Sequence, residues 1–124
     1  MSKQPIGPTA HGAIDYGLVT LQALAPSLFG LKGTARTLCY AFAGTQGIIN
    51  VLTDHPLGVK RVIPFRVHGE LETPFVPTLL VLPWVTGALK QRNARRYFLC
   101  FFALAAANYF LTDYRAYERG TPRT

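Results

Sequence analysis

Uncharged apolar stretches alternate with short charged ones four times along the chain. Residues 16–31, 37–53, 73–89 and 97–112 carry no Asp, Glu, Lys or Arg and are 16, 17, 17 and 16 residues long. As helices they cover about 24–26 Å at 1.5 Å per residue. With their flanking residues they approach the roughly 20 residues that a bilayer core requires. A soluble bundle should place polar residues at every third or fourth position of each helix. The segments LCYAFAG and YFLCFFALAAA show no such stripe. The pattern predicts an all-α fold, an integral membrane four-helix bundle with multi-pass insertion in the cell membrane.

The bounding charges reinforce this expectation. Their order is acid–run–base, base–run–acid, acid–run–base, base–run–acid. In an up-down-up-down bundle Asp15, Asp54, Glu72 and Asp113 fall at one face. Lys32, Arg36, Lys90, Arg92, Arg95 and Arg96 form a basic membrane-boundary face at the other, where they can snorkel or attract anionic lipid.

The chain is also doubled. HGAID at residues 11–15 returns as HGELE at 68–72, an offset of 57, and Pro26 and Gly30 match Pro83 and Gly87 at the same offset. Ala35-Arg36 matches Ala94-Arg95, and Leu52-Thr53-Asp54 matches Leu111-Thr112-Asp113, at an offset of 59. The two extra residues fall in the loop between paired helices, so the repeating unit is a two-helix hairpin. The first unit is about 9–58 and the second about 66–117, within a single membrane domain, 1–124. An even number of spans per unit sets the pseudo-twofold axis along the membrane normal.

Pro56, Gly58 and Pro64 break helix in the linker 54–67. Pro26 and Pro83 are expected to kink their spans, and Pro74 and Pro77 to make the first turns of the third irregular. Ala43 with Gly47 and Ala103 with Ala107 offer close helix contact. Trp84 is expected to pack mid-span. Tyr16, Tyr109 and Tyr114 are placed for an aromatic belt.

Composition adds less. The 124 residues hold 15% charged side chains, against roughly 25% in soluble domains. Cys39 and Cys100 have neither metal-ligand spacing nor a disulfide framework and read as buried small apolar groups. MSKQPIGPTA has no cleavable-leader pattern, so the first helix is expected to act as its own insertion signal. Orientation stays open: the hairpin-loop face carries the six cations above, and the other face Lys3, Lys60, Arg61, Arg66, Arg115, Arg119 and Arg123.

The candidate chemistry gathers at one face, in a polar cluster of His11, Asp15, Asp54, His55, His68, Glu72 and Asp113. His11 and Asp15, four apart, share a helix face, and His68 with Glu72 repeats the arrangement. One reading is structural. Asp15 and Glu72 complement the helix N-termini, and Asp54 and Asp113, ending their helices, each take a hydrogen bond from a histidine and tie the open end of a hairpin. A second reading is a metal site on His11, Asp15, His68 and Glu72, suited to Zn, Fe or Mn, or a haem with His11 and His68 as axial ligands. A third is an oligomeric transporter or proton relay, with Gln22, Gln46, Asn50 and Asn108 as polar groups inside the spans.

With the repeat in view, the chain resembles the SPW-repeat family of small bacterial integral membrane proteins. The residues that carry the resemblance are His11 with Asp15, His68 with Glu72, Pro26, Pro83-Trp84, residues 53–58 and Thr112-Asp113-Tyr114. The defining triplet reads Ala25-Pro26-Ser27 in the first unit and Leu82-Pro83-Trp84 in the second, and Glu72 stands in place of an aspartate. The resemblance implies membrane location and a doubled hairpin, and no chemistry. No nucleophile with an adjacent base stands out, which points away from an enzyme. The expected role is a non-catalytic structural or accessory membrane component. Its expected partners are the lipid bilayer and a second copy of the chain or a larger membrane complex. No motif supports nucleic acid as a partner.

Overall fold

A computed structural model describes residues 4–123. The described residues form four helices, α1 Pro8–Phe29, α2 Gly33–Val51, α3 Phe65–Val85 and α4 Arg92–Leu111, with a 3₁₀ turn, Ala88–Lys90, before α4. There is no strand among the described residues. The expected all-α fold of four helices is therefore found. No helix among the described residues is long and apolar enough to cross a membrane.

Each helix presents an inward stripe at helical spacing. In α1 the buried positions include His11, Asp15, Leu18, Gln22 and Ala25, and in α3 His68, Glu72, Val76, Leu79 and Pro83. α1 packs chiefly on α2 and α3 on α4, and the α1–α4 and α2–α3 seams close the ring. α1 and α3 therefore stand diagonally across the bundle. Gly47 helps α1 and α2 approach, since a Cβ there would sit 3.4 Å from the Val19 side chain. Ala103 and Ala107 are exposed and make no corresponding seam.

The apolar core lies toward the hairpin-loop end and centres on Leu31, Ala35, Cys39, Leu79, Phe98 and Phe101. Gly30 ends α1 in the left-handed conformation (φ 64°), which glycine adopts without a Cβ penalty. Gln91 ties the two hairpin loops together, accepting from the Lys32 N–H (3.2 Å) and donating to the Lys32 carbonyl (3.0 Å).

Four expectations are corrected here. α3 is helical from its first turn through Pro74, Pro77 and Pro83, so its first turns are regular. Pro26 and Pro83 fall in the last turn of their helices, where the chain is about to leave the helix anyway. Trp84 is 69% exposed near the end of α3 rather than packed mid-span. Cys39 is buried, but Cys100 faces outward. Lys3 lies outside the described residues.

The opposite end is closed by two equivalent extended pairings. Ile6 bonds Leu111 and Asp113 through its own N–H and C=O (3.0 and 2.8 Å), and Ile63 bonds Leu52 and Asp54 in the same way (2.8 and 2.8 Å). The lead-in to each hairpin is thus stitched to the exit of the other one. This crosswise stitching positions everything in the polar cluster.

Candidate functional site

His11 and His68 occupy the fourth position of α1 and α3, and Asp15 and Glu72 the eighth. The four side chains meet between the diagonal helices and are 0–8% exposed. Burying two carboxylates away from water is costly unless positive or hydrogen-donating partners surround them.

The hydroxyls of two threonines decide how the imidazoles face. Thr112 Oγ1 donates its only hydrogen to the Asn108 carbonyl (2.5 Å), and Thr53 Oγ1 to that of Ile49 (2.6 Å). Each hydroxyl can then only accept from the ring nitrogen 2.7 Å away, His11 Nδ1 for Thr112 and His68 Nδ1 for Thr53. Both rings therefore carry their proton on Nδ1 and turn Nε2 inward.

At the centre, His11 Nε2 and His68 Nε2 are 3.2 Å apart. Asp15 Oδ2 lies 3.2 and 3.0 Å from them, and Glu72 Oε1 3.4 and 3.1 Å. The other oxygen of each carboxylate faces outward to a donor. Asp15 Oδ1 accepts from Asn108 Nδ2 (3.0 Å) and Gln46 Nε2 (3.3 Å), and Glu72 Oε2 from the Tyr114 hydroxyl (2.5 Å).

This is a donor set that can hold a metal ion. Four ligand atoms placed tetrahedrally at 2.0–2.1 Å from an ion stand about 3.3–3.4 Å from one another. The five separations given above span 3.0–3.4 Å. Each ligand is also held from behind by a hydroxyl, an amide or a phenol, the arrangement that orients metal-binding imidazoles and carboxylates. A haem does not fit, because rings with nitrogens 3.2 Å apart leave no room for a macrocycle between them.

His55 is built differently. Its Nε2 donates to Asn50 Oδ1 (2.9 Å), and its Nδ1 accepts from the Leu57 N–H (3.2 Å). Both nitrogens are used, so the ring is a neutral wedge and not a ligand. Burial pushes its pKa down to about 4; the neighbouring His68, His11 and Arg61 act in the same direction and Asp15 opposes them.

The glycine in each HG pair makes room for an aromatic wedge. A Cβ on Gly12 would sit 2.6 Å from the His55 ring, and a Cβ on Gly69 would sit 2.6 Å from the Tyr114 ring. His55 and Tyr114 follow Thr53-Asp54 and Thr112-Asp113, so each wedge is the residue after a repeated Thr-Asp. Phe65 closes the end of the site, with its ring centroid 5.6 Å from His11, 6.1 Å from His68 and 5.4 Å from Tyr114.

The structure brings together His11, Asp15, His68 and Glu72 and sets His55 beside them. Asp54 and Asp113 are elsewhere. Asp54 pairs with Arg123, and Asp113 accepts from Arg119 Nε (3.3 Å) and the Arg115 N–H (3.2 Å). The expected His–Asp tie within each hairpin is thus replaced by a His–Thr tie between hairpins. Asp15 and Glu72 sit two turns into their helices, beyond the first turn where the macrodipole acts. Sequence reasoning passed over Thr53 and Thr112 as ring-holders, although their place in the repeat was visible.

No protein-family model, curated protein or solved structure matches the chain.

Proposed function

We propose that this is a multi-pass membrane protein whose two hairpins are clamped around one buried divalent metal ion, held by His11, Asp15, His68 and Glu72. The role is structural rather than catalytic. The observation that carries the metal reading is the convergence of two Nε2 atoms, each forced inward by a threonine hydroxyl, with two carboxylate oxygens 3.0–3.4 Å from them, all four atoms lying within 4.8 Å of one another. All four positions come from side chains, which is the mark of a closed structural site rather than one with an open position for substrate. Imidazole and carboxylate in a tetrahedral array favour zinc among the common divalent ions.

Support for the bilayer reading lies in where polarity sits. Gln22, Asn50, His11 and His68 are 0–1% exposed, while Leu28, Ile48, Trp84 and Phe110 are 62–69% exposed. The helices have 19–22 residues, about the length a bilayer core requires. Buried side chains such as Gln22 in α1, Gln46 and Asn50 in α2, His68 and Glu72 in α3 and Asn108 in α4 lower each helix's average apolarity, yet they face the bundle interior. The large side chains on the outward faces between the helix ends are mostly apolar, among them Leu24, Leu28, Ile48, Val81, Leu104 and Phe110. The resemblance to SPW-repeat proteins points the same way.

Replacing the ion with Co(II) tests the metal reading. A tetrahedral Co(II) site gives intense visible absorption, and one equivalent should saturate it. A folded protein that takes up no cobalt would make the cluster a proton-shared tie between hairpins. Flotation of the full chain with lipid vesicles tests the bilayer reading separately.

A further inference from the structure

The metal clamp leaves the opposite end of the bundle without a role. Lys32, Arg36, Lys90, Arg92, Arg95 and Arg96 all lie there, and none of the six acids does. At that end the α1–α4 seam opens into a groove of about 670 Å³. Its floor is Tyr97 and Phe101, both buried, with the Tyr97 hydroxyl bonded to Gln22. Leu28, 63% exposed, and Leu104, 53% exposed, form part of its walls. The α4 residues lining it run from Asn93 to Leu104, about 16 Å along the helix.

Polarity in the groove is confined to one end. Asn93 is occupied there, donating to the Phe29 carbonyl at 3.1 Å. Among the described residues Arg96 has no ion-pair partner, and it lines the mouth. Arg92 stands one helical turn away on the same face of α4. An elongated apolar slot with unpaired cations at its boundary end complements one molecular shape in particular: an acyl chain below a negatively charged headgroup.

We propose that the α1–α4 groove seats one acyl chain of an anionic phospholipid, with the headgroup phosphate held by Arg96. The chain lies over Tyr97 and Phe101 between Leu28 and Leu104. The site rests on the bilayer reading given above and is independent of the metal clamp.

The test is native mass spectrometry of the full chain released from detergent, titrated with dioleoyl phosphatidylglycerol or dioleoyl phosphatidylcholine. The tails are identical, so the comparison isolates headgroup charge. The expected result is one retained lipid per chain with a preference of about fivefold for the glycerol lipid, the size one near-surface cation supplies. Arg96→Gln, an exposed position, should abolish the preference, and Leu104→Trp should lower retention of both lipids by filling the slot. Equal retention of the two lipids, or a preference unchanged by Arg96→Gln, overturns the proposal. Vesicle flotation of the same sample separates the two failures. A chain that floats and shows no preference loses only the groove site; one that stays in the aqueous fraction loses the bilayer reading as well.

Discussion

Thr53, at the end of the first hairpin, holds the imidazole of His68 in the second, with 2.7 Å between Oγ1 and Nδ1. Thr112 holds His11 at the same distance in the reverse sense. The duplication is therefore interlocked, since each half orients the other half's histidine. Neither hairpin contains a complete set of ligands and their supports.

Thr53→Val and Thr112→Val keep the shape and remove the hydroxyl. Each should weaken metal binding by about 10–100-fold, the usual effect of losing a group that orients a ligand. The buried Nδ1–H left without an acceptor should cost about 1–3 kcal/mol of stability. Thr→Ser at either position should restore most of both. Competition with a chelator gives the affinity and thermal unfolding gives the stability. Wild-type affinity in both valine variants would mean the rings are oriented by something else.

Glycine substitutions should change sign with position. Alanine is favoured over glycine inside a helix by about 1 kcal/mol. At Gly17 and Gly44 nothing lies within 4 Å of a new Cβ, so Gly17→Ala and Gly44→Ala should stabilise by up to about that amount. At Gly12 and Gly69 the new Cβ would run into the His55 or Tyr114 ring. Gly12→Ala and Gly69→Ala should therefore destabilise by about 1–3 kcal/mol, as overpacking does. Chemical denaturation of the four variants side by side checks the contrast.

His55 predicts an acid sensitivity. Its pKa in the folded chain is about 4, and that of an unfolded histidine is about 6.5. The unfolded chain takes up the proton first. The contribution of the neutral ring is complete above about pH 6.5 and is lost as the pH falls from there toward 4. The thermal midpoint of the wild type should fall across that window more steeply than that of His55→Gln, whose amide can still donate to Asn50. Parallel profiles would mean that protonation of His55 does not set the acid sensitivity.

Much of this architecture was legible because it is periodic. The four helices follow from the uncharged runs, and the doubling from His11-Gly12 and His68-Gly69 recurring at a fixed offset. The recurring His-x-x-x-acid spacing also marked His11, Asp15, His68 and Glu72 as candidates for one shared site, as one of several readings the residues left open. What the sequence left hidden was which half serves which. Ring closure of the bundle places the α4 end beside the start of α1, so Thr112 rather than Thr53 meets His11. Asp54 and Asp113 looked like natural partners for the histidines because of their charge. They lie one residue beyond the threonines, and the chain there turns them away from the imidazoles, to Arg123 and Arg119. The role of glycine in the HG pairs needed the rings of His55 and Tyr114 in place before it could be read.

Elemental analysis of the purified full chain, with His11→Ala/His68→Ala alongside, tests the metal clamp directly. One zinc or other divalent transition metal per wild-type chain, and none in the double variant, is the result expected of the clamp. A folded wild-type chain prepared with added zinc and still free of metal would contradict it.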